Sequence, residues 1–127
     1  MRAMGKDKKK VLVVEDEVIS AMNLANMLEL WGYEVCPFAT SGETAILIAE
    51  EEKPDIALLD IKLKGNMNGI ELAREIKKQF SIPVIFMTGY ANAGLKKEAS
   101  ALKPEAYLIK PFDLNELREV LDSASVP

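Results

Sequence analysis

Lys10-Val-Leu-Val-Val-Glu-Asp16 is the most informative run of residues in this chain. Its four consecutive apolar residues, three of them β-branched, have the composition of a strand that is buried on both faces. Strands of this kind lie in the interior of parallel sheets, where helices cover both sides. The run therefore predicts that Glu15 and Asp16 stand at the carboxyl end of a central strand.

Outward from this run, strand-like apolar segments alternate with amphipathic helical segments five times. The alternation is typical of a parallel sheet, because each crossover between parallel strands needs a connection of about helix length. We predict a single doubly wound α/β domain with five parallel strands and helices on both faces. Its predicted strands cover residues 10–15, 33–38, 56–60, 83–88 and 106–109.

Amphipathic spacing predicts five helices. They lie near residues 21–31, 40–51, 69–80 and 92–102 and after residue 113. Gly32 ends the first helix, and two others begin with capping boxes, formed by Thr40 with Glu43 and by Asp113 with Glu116. The fourth helix has a thin apolar face, so we predict it to be the least firmly held. In the fifth helix, the residues predicted to be buried are Leu114, Leu117, Val120 and Leu121.

The size of the chain, 127 residues, suits one hydrophobic core and is too small for two ordinary domains. Hydrophobic residues make up 49% and charged residues 28%, which are values of globular proteins. We predict a basic flexible tail over residues 1–9, one domain over residues 10–123 and a short tail over residues 124–127. The apolar runs are too short to span a bilayer and no apolar signal core begins the chain, so we expect no membrane partner and a cytoplasmic location.

Charge is distributed unevenly, because the first ten residues carry +4 and the remainder −8 of a net charge of −4. An acidic body argues against a duplex-DNA surface on this domain, which would need clustered Lys and Arg. The basic start is interpreted as a solvated tail rather than a nucleic-acid arm. Cys36 is the only cysteine and the chain has no histidine, which excludes an internal disulfide, Ser-His or Cys-His triads and imidazole metal sites.

Two further polar residues stand at strand ends, since Asp60 closes the third predicted strand and Lys110 follows the fifth. The carboxyl ends of the strands form the rim that holds ligands in open α/β sheets, so we expect both side chains beside Glu15 and Asp16. Three carboxylates at one rim repel one another unless a hard cation lies among them, and oxygen ligands suit Mg²⁺. The set indicates Mg²⁺-assisted phosphoryl chemistry on a carboxylate.

The set of motifs as a whole resembles the response-regulator receiver domain of two-component signalling. The resemblance rests on Glu15-Asp16, Asp60, Thr88-Gly89 and Lys110-Pro111-Phe112, in this order on five β/α units, and it extends from residue 10 to about residue 123. It implies a flavodoxin-like fold with strand order 2-1-3-4-5. It also implies a phosphoacceptor domain that catalyses only its own phosphorylation and dephosphorylation, and not an enzyme that acts on other substrates.

The resemblance also implies roles for individual residues. Asp60 would accept a phosphoryl group from a sensor histidine kinase, a phosphotransfer protein or a small acyl phosphate, and Lys110 and Thr88 would contact phosphoryl oxygens. Thr88 and Tyr107 would form the switch that alters a surface of the fourth helix, fifth strand and fifth helix, where a downstream output domain or protein binds. The implied Mg²⁺ ligands are Asp16, Asp60, the backbone carbonyl of Lys62 and, through a water, Glu15.

Several positions leave alternatives open. Tyr107 fits equally well as a plain tyrosine on the sheet edge. Gly69 comes one residue later than in the commonest receivers, which predicts a longer and differently shaped loop after Asp60. Lys62 and Tyr90 stand at variable positions that influence hydrolysis of the acyl phosphate in the family, so its lifetime is not determined. Pro111 resembles the family's cis-proline, and Gly89 would leave room for the donor.

Two other classes of function compete with this interpretation. An aspartyl-phosphate hydrolase of the haloacid dehalogenase type would need an aspartate two residues after Asp60, where this chain has Lys62. A receiver-like binding module that never accepts phosphate would not need the complete set of chemical residues. The sequence leaves open whether the domain stands alone, is part of a longer regulator or belongs to a hybrid kinase.

Overall fold

The fold is a five-stranded parallel sheet with helices on both faces, described here by a computed structural model for residues 9–89 and 93–124. The strands are β1 (Lys10–Val14), β2 (Glu34–Val35), β3 (Ile56–Asp60), β4 (Val84–Thr88) and β5 (Ala106–Ile109). Their spatial order is β2-β1-β3-β4-β5, which confirms the order implied by the resemblance. Most of the two predicted tails, and Tyr90, lie outside the described residues.

The interior of the sheet is formed by β1, β3 and β4. Every residue of β3 and β4 is buried, as is every residue of β1 after Lys10. The strands are in register, with Val14 opposite Leu59 and Asp60 opposite Met87. Because these parallel strands end at nearly the same level, the residues that follow them share one rim.

The helices divide between the two faces of the sheet. They are α1 (Val18–Leu30), α2 (Gly42–Glu52), α3 (Gly69–Phe80), α4 (Ala93–Ser100) and α5 (Leu114–Ser123). One hydrophobic core lies under α1 and α5 and includes Leu28 and Leu117, and the other lies under α2, α3 and α4 and includes Leu72 and Ile76. Burying such a side chain fully stabilises the fold by about 1.5–3 kcal/mol.

The start of α3 is fixed by a capping box that sequence analysis did not identify. The Asn68 side chain accepts a hydrogen bond from the Glu71 amide, and the Glu71 carboxylate accepts one from the Asn68 amide, each at 2.9 Å. The two bonds satisfy amides that the first turn of a helix leaves without partners. They hold the first turn of α3 next to the loop that follows β3.

The predicted capping boxes of α2 and α5 are both wrong in detail. Ser41, and not Thr40, caps α2, because Ser41 directly precedes the first helical residue and its hydroxyl accepts the Thr44 amide at 3.2 Å. Asp113 does cap α5, but its carboxylate accepts the Asn115 amide at 2.8 Å rather than the amide of Glu116. Both helices nevertheless begin with a polar side chain on a backbone amide.

Three further differences concern strand ends and burial. The second strand is much shorter than predicted, because its pairing with β1 becomes irregular after Cys36. The Cys36 amide donates to the Val11 carbonyl, and the next bond to β1 comes from Ala39 rather than from Phe38. The first and fourth strands are each shorter than predicted by one residue. Leu114 is 44% exposed, since it opens α5 at the rim rather than over the sheet, and Val120 is only partly buried. Leu117 and Leu121 are buried as predicted.

The thin apolar face predicted for the fourth helix is confirmed in α4. Within the helix only Ala99 is buried, and Leu95 packs against the same core from a partly exposed position. By contrast, α3 buries five residues. Among the helices in residues 9–89 and 93–124, none has the length and apolar character that crossing a membrane requires.

Candidate functional site

Three carboxylates meet at the rim where β1 and β3 end. Asp60 is the last residue of β3, and Glu15 and Asp16 follow β1 directly. Glu15 is 3% exposed and Asp60 6% exposed, while Asp16 is half-buried. Each offers an oxygen that lies within 4.8 Å of those offered by the other two. The structure therefore brings together the three acids that the sequence places at strand ends.

The ammonium of Lys110 lies between the two buried carboxylates. Its Nζ donates to Oε1 of Glu15 at 2.5 Å and to Oδ2 of Asp60 at 2.8 Å. Lys110 directly follows β5, and its backbone amide donates to the carbonyl of Thr88 at 2.8 Å. The peptide bond between Lys110 and Pro111 is cis, as the resemblance implies.

Backbone amides hold the second oxygen of each buried carboxylate. The Lys62 amide donates to Oδ1 of Asp60 at 3.1 Å, and the Glu17 amide donates to Oε2 of Glu15 at 3.3 Å. Both carboxylates are therefore bonded on both oxygens, once by an ammonium and once by the backbone. Buried ionised groups need partners of this kind to offset the loss of hydration.

Burial and ion pairing act in opposite directions on the pKa values of Glu15 and Lys110. Burial raises the pKa of Glu15, and the hydrogen bond from Lys110 lowers it only in part. Burial alone would lower the pKa of Lys110, but hydrogen bonds to Asp60 and Glu15 outweigh it and raise that pKa. The ammonium thus remains charged beside the carboxylates, as electrostatic pairing requires.

The acids and the lysine line an open cavity of about 510 Å³. Thr88, the last residue of β4, and Gly89 form another part of its wall, and a Cβ built on Gly89 would meet no atom within 4 Å. Lys62 and Lys64 also line the cavity, so both cationic side chains of the loop after Asp60 stand at its mouth. The position of Lys64 was not predicted, although its place four residues after Asp60 in the same loop was a usable signal.

The ring of Tyr107 lies in β5 at the edge of the sheet and packs against Phe86. The ring centroids are 6.3 Å apart at an interplanar angle of 57°, and Nζ of Lys96 from α4 lies 5.8 Å from the Tyr107 ring centre. The hydroxyl is buried and has no hydrogen-bond partner among the residues that the structure describes. Burial raises the pKa of this hydroxyl, so it stays protonated at neutral pH. Burying a hydroxyl without a hydrogen-bond partner costs free energy, because the group loses its hydration.

The donor set of the cavity fits a hard divalent cation. Mg²⁺ takes oxygen ligands in octahedral geometry and keeps several waters, so it needs only a few protein carboxylates close together. Glu15, Asp16 and Asp60 supply such oxygens in a cavity open to solvent. The Lys110 ammonium pairs with two of the three carboxylates, and a divalent ion would neutralise much of the charge that remains.

Comparison with known proteins agrees with this geometry. The model of the response regulator receiver domain matches residues 11–122. The chain therefore belongs to the response-regulator receiver domain family. It is a receiver domain of the two-component response regulators, a class in which phosphorylation and Mg²⁺ are typical.

Individual relatives support the assignment. The chain is 34% identical over 116 residues to the transcriptional regulatory protein PdtaR of Mycobacterium tuberculosis, a match that covers 91% of this chain and 56% of that protein. It thus spans about half the length of that curated relative. Among solved structures, the receiver domain of a modulated diguanylate cyclase from Desulfovibrio desulfuricans has 35% identity and a TM-score of 0.87, covering 93% of this chain and 94% of that one. A CheY-like receiver domain protein from Methanospirillum hungatei has 30% identity and a TM-score of 0.84, covering 91% and 92%.

Proposed function

We propose that Asp60 is the phosphoacceptor of this receiver domain. The observation that carries the proposal is the pairing of the Asp60 carboxylate with Lys110 at 2.8 Å at the edge of a cavity that Glu15 and Asp16 also line. In the reaction, an Asp60 oxygen forms a bond to phosphorus as the bond from phosphorus to the donor breaks. The bonding electrons leave with the donor, which is a phosphohistidine of a kinase or phosphotransfer protein, or a small acyl phosphate.

The residues around Asp60 act by positioning and by neutralising charge, which is most of what phosphoryl transfer requires. Lys110 would release part of its contact with the carboxylates and pair with a phosphoryl oxygen, and the Thr88 hydroxyl would donate to another. The Lys62 amide keeps Asp60 oriented through its bond to Oδ1. Asp16, Asp60, the Lys62 carbonyl and, through a water, Glu15 would hold Mg²⁺, which neutralises phosphoryl charge when it is bound.

The proposed consequence of phosphorylation is a change at α4, β5 and α5. A phosphoryl group on Asp60 would draw Thr88 inward, and the Tyr107 ring would follow into the space that Thr88 leaves. Two observations support this switch, namely the buried Tyr107 hydroxyl without a partner among the described residues and the single buried residue of α4. The altered surface would bind an output domain or protein.

The domain would therefore process only its own phosphoryl group and would not act on other substrates. We place its action in the cytoplasm, where the kinase domains that supply response regulators work. A sensor histidine kinase or phosphotransfer protein would be the donor, and neither nucleic acid nor a membrane would be a direct partner.

Loading with acetyl phosphate and Mg²⁺ tests the proposal. We expect intact-mass measurement to show one added phosphoryl group on the wild-type protein and none on Asp60→Asn, with the far-UV circular dichroism unchanged. Asp55→Asn is a matched control at the other end of β3 and should load normally. Hydrolysis of a phosphate monoester, which is not an acyl phosphate, would indicate a hydrolase, and full loading of Asp60→Asn would show that another residue is the acceptor.

A further inference from the structure

The loop that joins β3 to α3 is pinned at its far end against the backbone of Asp60. The Gly69 amide donates to the Ile61 carbonyl at 2.7 Å. A Cβ built on Gly69 would lie 2.0 Å from the Asp60 carbonyl oxygen and 2.6 Å from the Ile61 Cα. Both are backbone atoms, which cannot turn aside as the end of a side chain can. Only glycine therefore allows α3 to begin this close to Asp60.

A second contact pins the middle of the same loop against α2. A Cβ built on Gly42, the first residue of α2, would lie 2.9 Å from Sδ and 3.1 Å from Cβ of Met67. Ser41, which caps α2, also forms an isolated parallel bridge with Lys64. The loop therefore rests on the start of α2 as well as on the Asp60 peptide.

We infer that Gly69 and Gly42 are positioning residues for the phosphoacceptor site, through the loop of residues 61–68. This inference rests on the proposed function, because it concerns the placement of Asp60 and of the Lys62 carbonyl. Neither glycine touches the reacting atoms. They act by letting the loop pack closely against the Asp60 backbone at one contact and against α2 at the other. The hydrogen bond from the Lys62 amide to Asp60 belongs to the same loop.

The reason to expect an effect is the strict geometry that Mg²⁺ demands. A side chain at residue 42 would push Met67 away by a few tenths of an ångström and would move the loop that carries Lys62. Mg²⁺ accepts little deviation from octahedral geometry, and a displacement of about 1 Å in a reacting group can cost 10²-fold in rate. A smaller displacement should weaken Mg²⁺ binding by roughly tenfold or less.

The decisive experiment measures the Mg²⁺ dissociation constant by titration calorimetry and the acetyl phosphate loading rate for four proteins. These are the wild type, Gly42→Ala, Gly42→Ala with Met67→Ala, and Gly32→Ala. Alanine is a better helix former than glycine, so Gly42→Ala should not lose helix stability. We expect weaker Mg²⁺ binding and slower loading in Gly42→Ala and recovery toward wild-type values when Met67 is also shortened.

Gly32→Ala is the matched control, because Gly32 precedes β2 at the opposite end of the sheet from the site. Its φ of +96° is one that alanine adopts only with strain, so the variant perturbs the fold away from the site. It should lower the melting temperature and leave Mg²⁺ affinity unchanged. Gly69→Ala, measured as a fifth protein, should weaken Mg²⁺ binding most. If it fails to fold, the comparison of Gly42→Ala with and without Met67→Ala still tests the positioning role.

The outcomes separate the two proposals. A wild-type protein that neither binds Mg²⁺ nor accepts phosphate would overturn the proposed function. A wild-type protein that does both, together with a folded Gly42→Ala variant of unchanged Mg²⁺ affinity, would overturn the positioning role alone. The same conclusion follows if Met67→Ala brings no recovery.

Discussion

Nζ of Lys110 lies 2.8 Å from Oδ2 of Asp60, although 50 residues separate them in the chain. The strand order explains the contact, because only β4 stands between the strands that end beside these two residues. The same ammonium contacts Glu15, so one cation compensates two buried carboxylates. A phosphoryl group on Asp60 would enter where this ammonium already lies.

The first prediction concerns Lys110. Lys110→Met keeps much of the side-chain volume and removes the ammonium, so the loading rate with acetyl phosphate should fall about 10²-fold. Lys78→Met, an exposed change on α3, is the control and should load at the wild-type rate. Rapid loading of Lys110→Met would show that the ammonium is needed only to pair the carboxylates of the resting protein.

The second prediction concerns the metal. Asp16→Asn should raise the Mg²⁺ dissociation constant by about tenfold or more and slow phosphorylation in parallel, because it removes a charged ligand. Glu17→Gln removes one charge from the same cavity lining and should change the constant less. Equal Mg²⁺ titrations for Asp16→Asn and wild type would make Asp16 a solvated loop acid.

The third prediction concerns the switch. Beryllofluoride, which mimics the phosphoryl group on an aspartate, should perturb amide chemical shifts at Thr88, along α4 and at Tyr107, with little change in α1 and α2. The thin contact of α4 with the core makes that region the least costly to move. Perturbations confined to the residues that touch the mimic would instead describe a phosphate carrier in a relay.

The fourth prediction concerns Cys36, which is 3% exposed. Burial raises the pKa of its thiol to about 11, so near pH 8 the folded protein should react with a thiol reagent at least about 10²-fold more slowly than the unfolded chain. Because the folded pKa is the higher one, the associated stability is complete below the ordinary pKa and is lost as pH rises through about 11.

Comparing the unfolding midpoints of wild type and Cys36→Ala over that alkaline range isolates this contribution from those of lysines and tyrosines. Fast labelling of the Cys36 thiol in the folded protein at neutral pH would contradict the predicted rise of its pKa.

The fifth prediction concerns the cap of α2. Ser41→Ala should lower the free energy of unfolding by about 1 kcal/mol, because the Thr44 amide loses its acceptor. Thr40→Ala is the matched change one residue earlier and should cost less. Denaturant titrations of the two variants compare them directly, and a larger loss for Thr40→Ala would contradict the observed cap.

Periodicity predicted the strands and helices better than it predicted their ends. Apolar runs predicted β3 and β5 to the residue, although Asp60 closes β3 and only one residue of β5 is buried. Composition does not separate Ser41 from Thr40 as a cap, because both residue types cap helices and only the backbone decides which one faces the helix. Leu114 has the helical spacing of a core residue, but the sequence does not show that α5 begins beyond the sheet.

The candidate site, like the fold, was predictable in part from the sequence. Acids at strand ends could be placed at one rim by the geometry of parallel sheets, and the order of the strands came from the family resemblance. The tight contacts of Gly69 and Gly42 could not be predicted, because a glycine in the sequence allows a close approach but does not show which atoms approach it. The same holds for the buried hydroxyl of Tyr107.

The ion pair between Glu15 and Lys110 joins residues 95 positions apart, the first from the beginning of the sheet and the second from beyond its last strand. The proposed phosphoacceptor site would therefore be incomplete in a nascent chain until β5 has emerged and paired with β4. Partly synthesised or partly folded molecules would compete poorly for the donor, since they lack the ammonium. Uptake of phosphate would thus require that the whole sheet has formed. Incomplete chains would remain unphosphorylated and would not contribute to signalling.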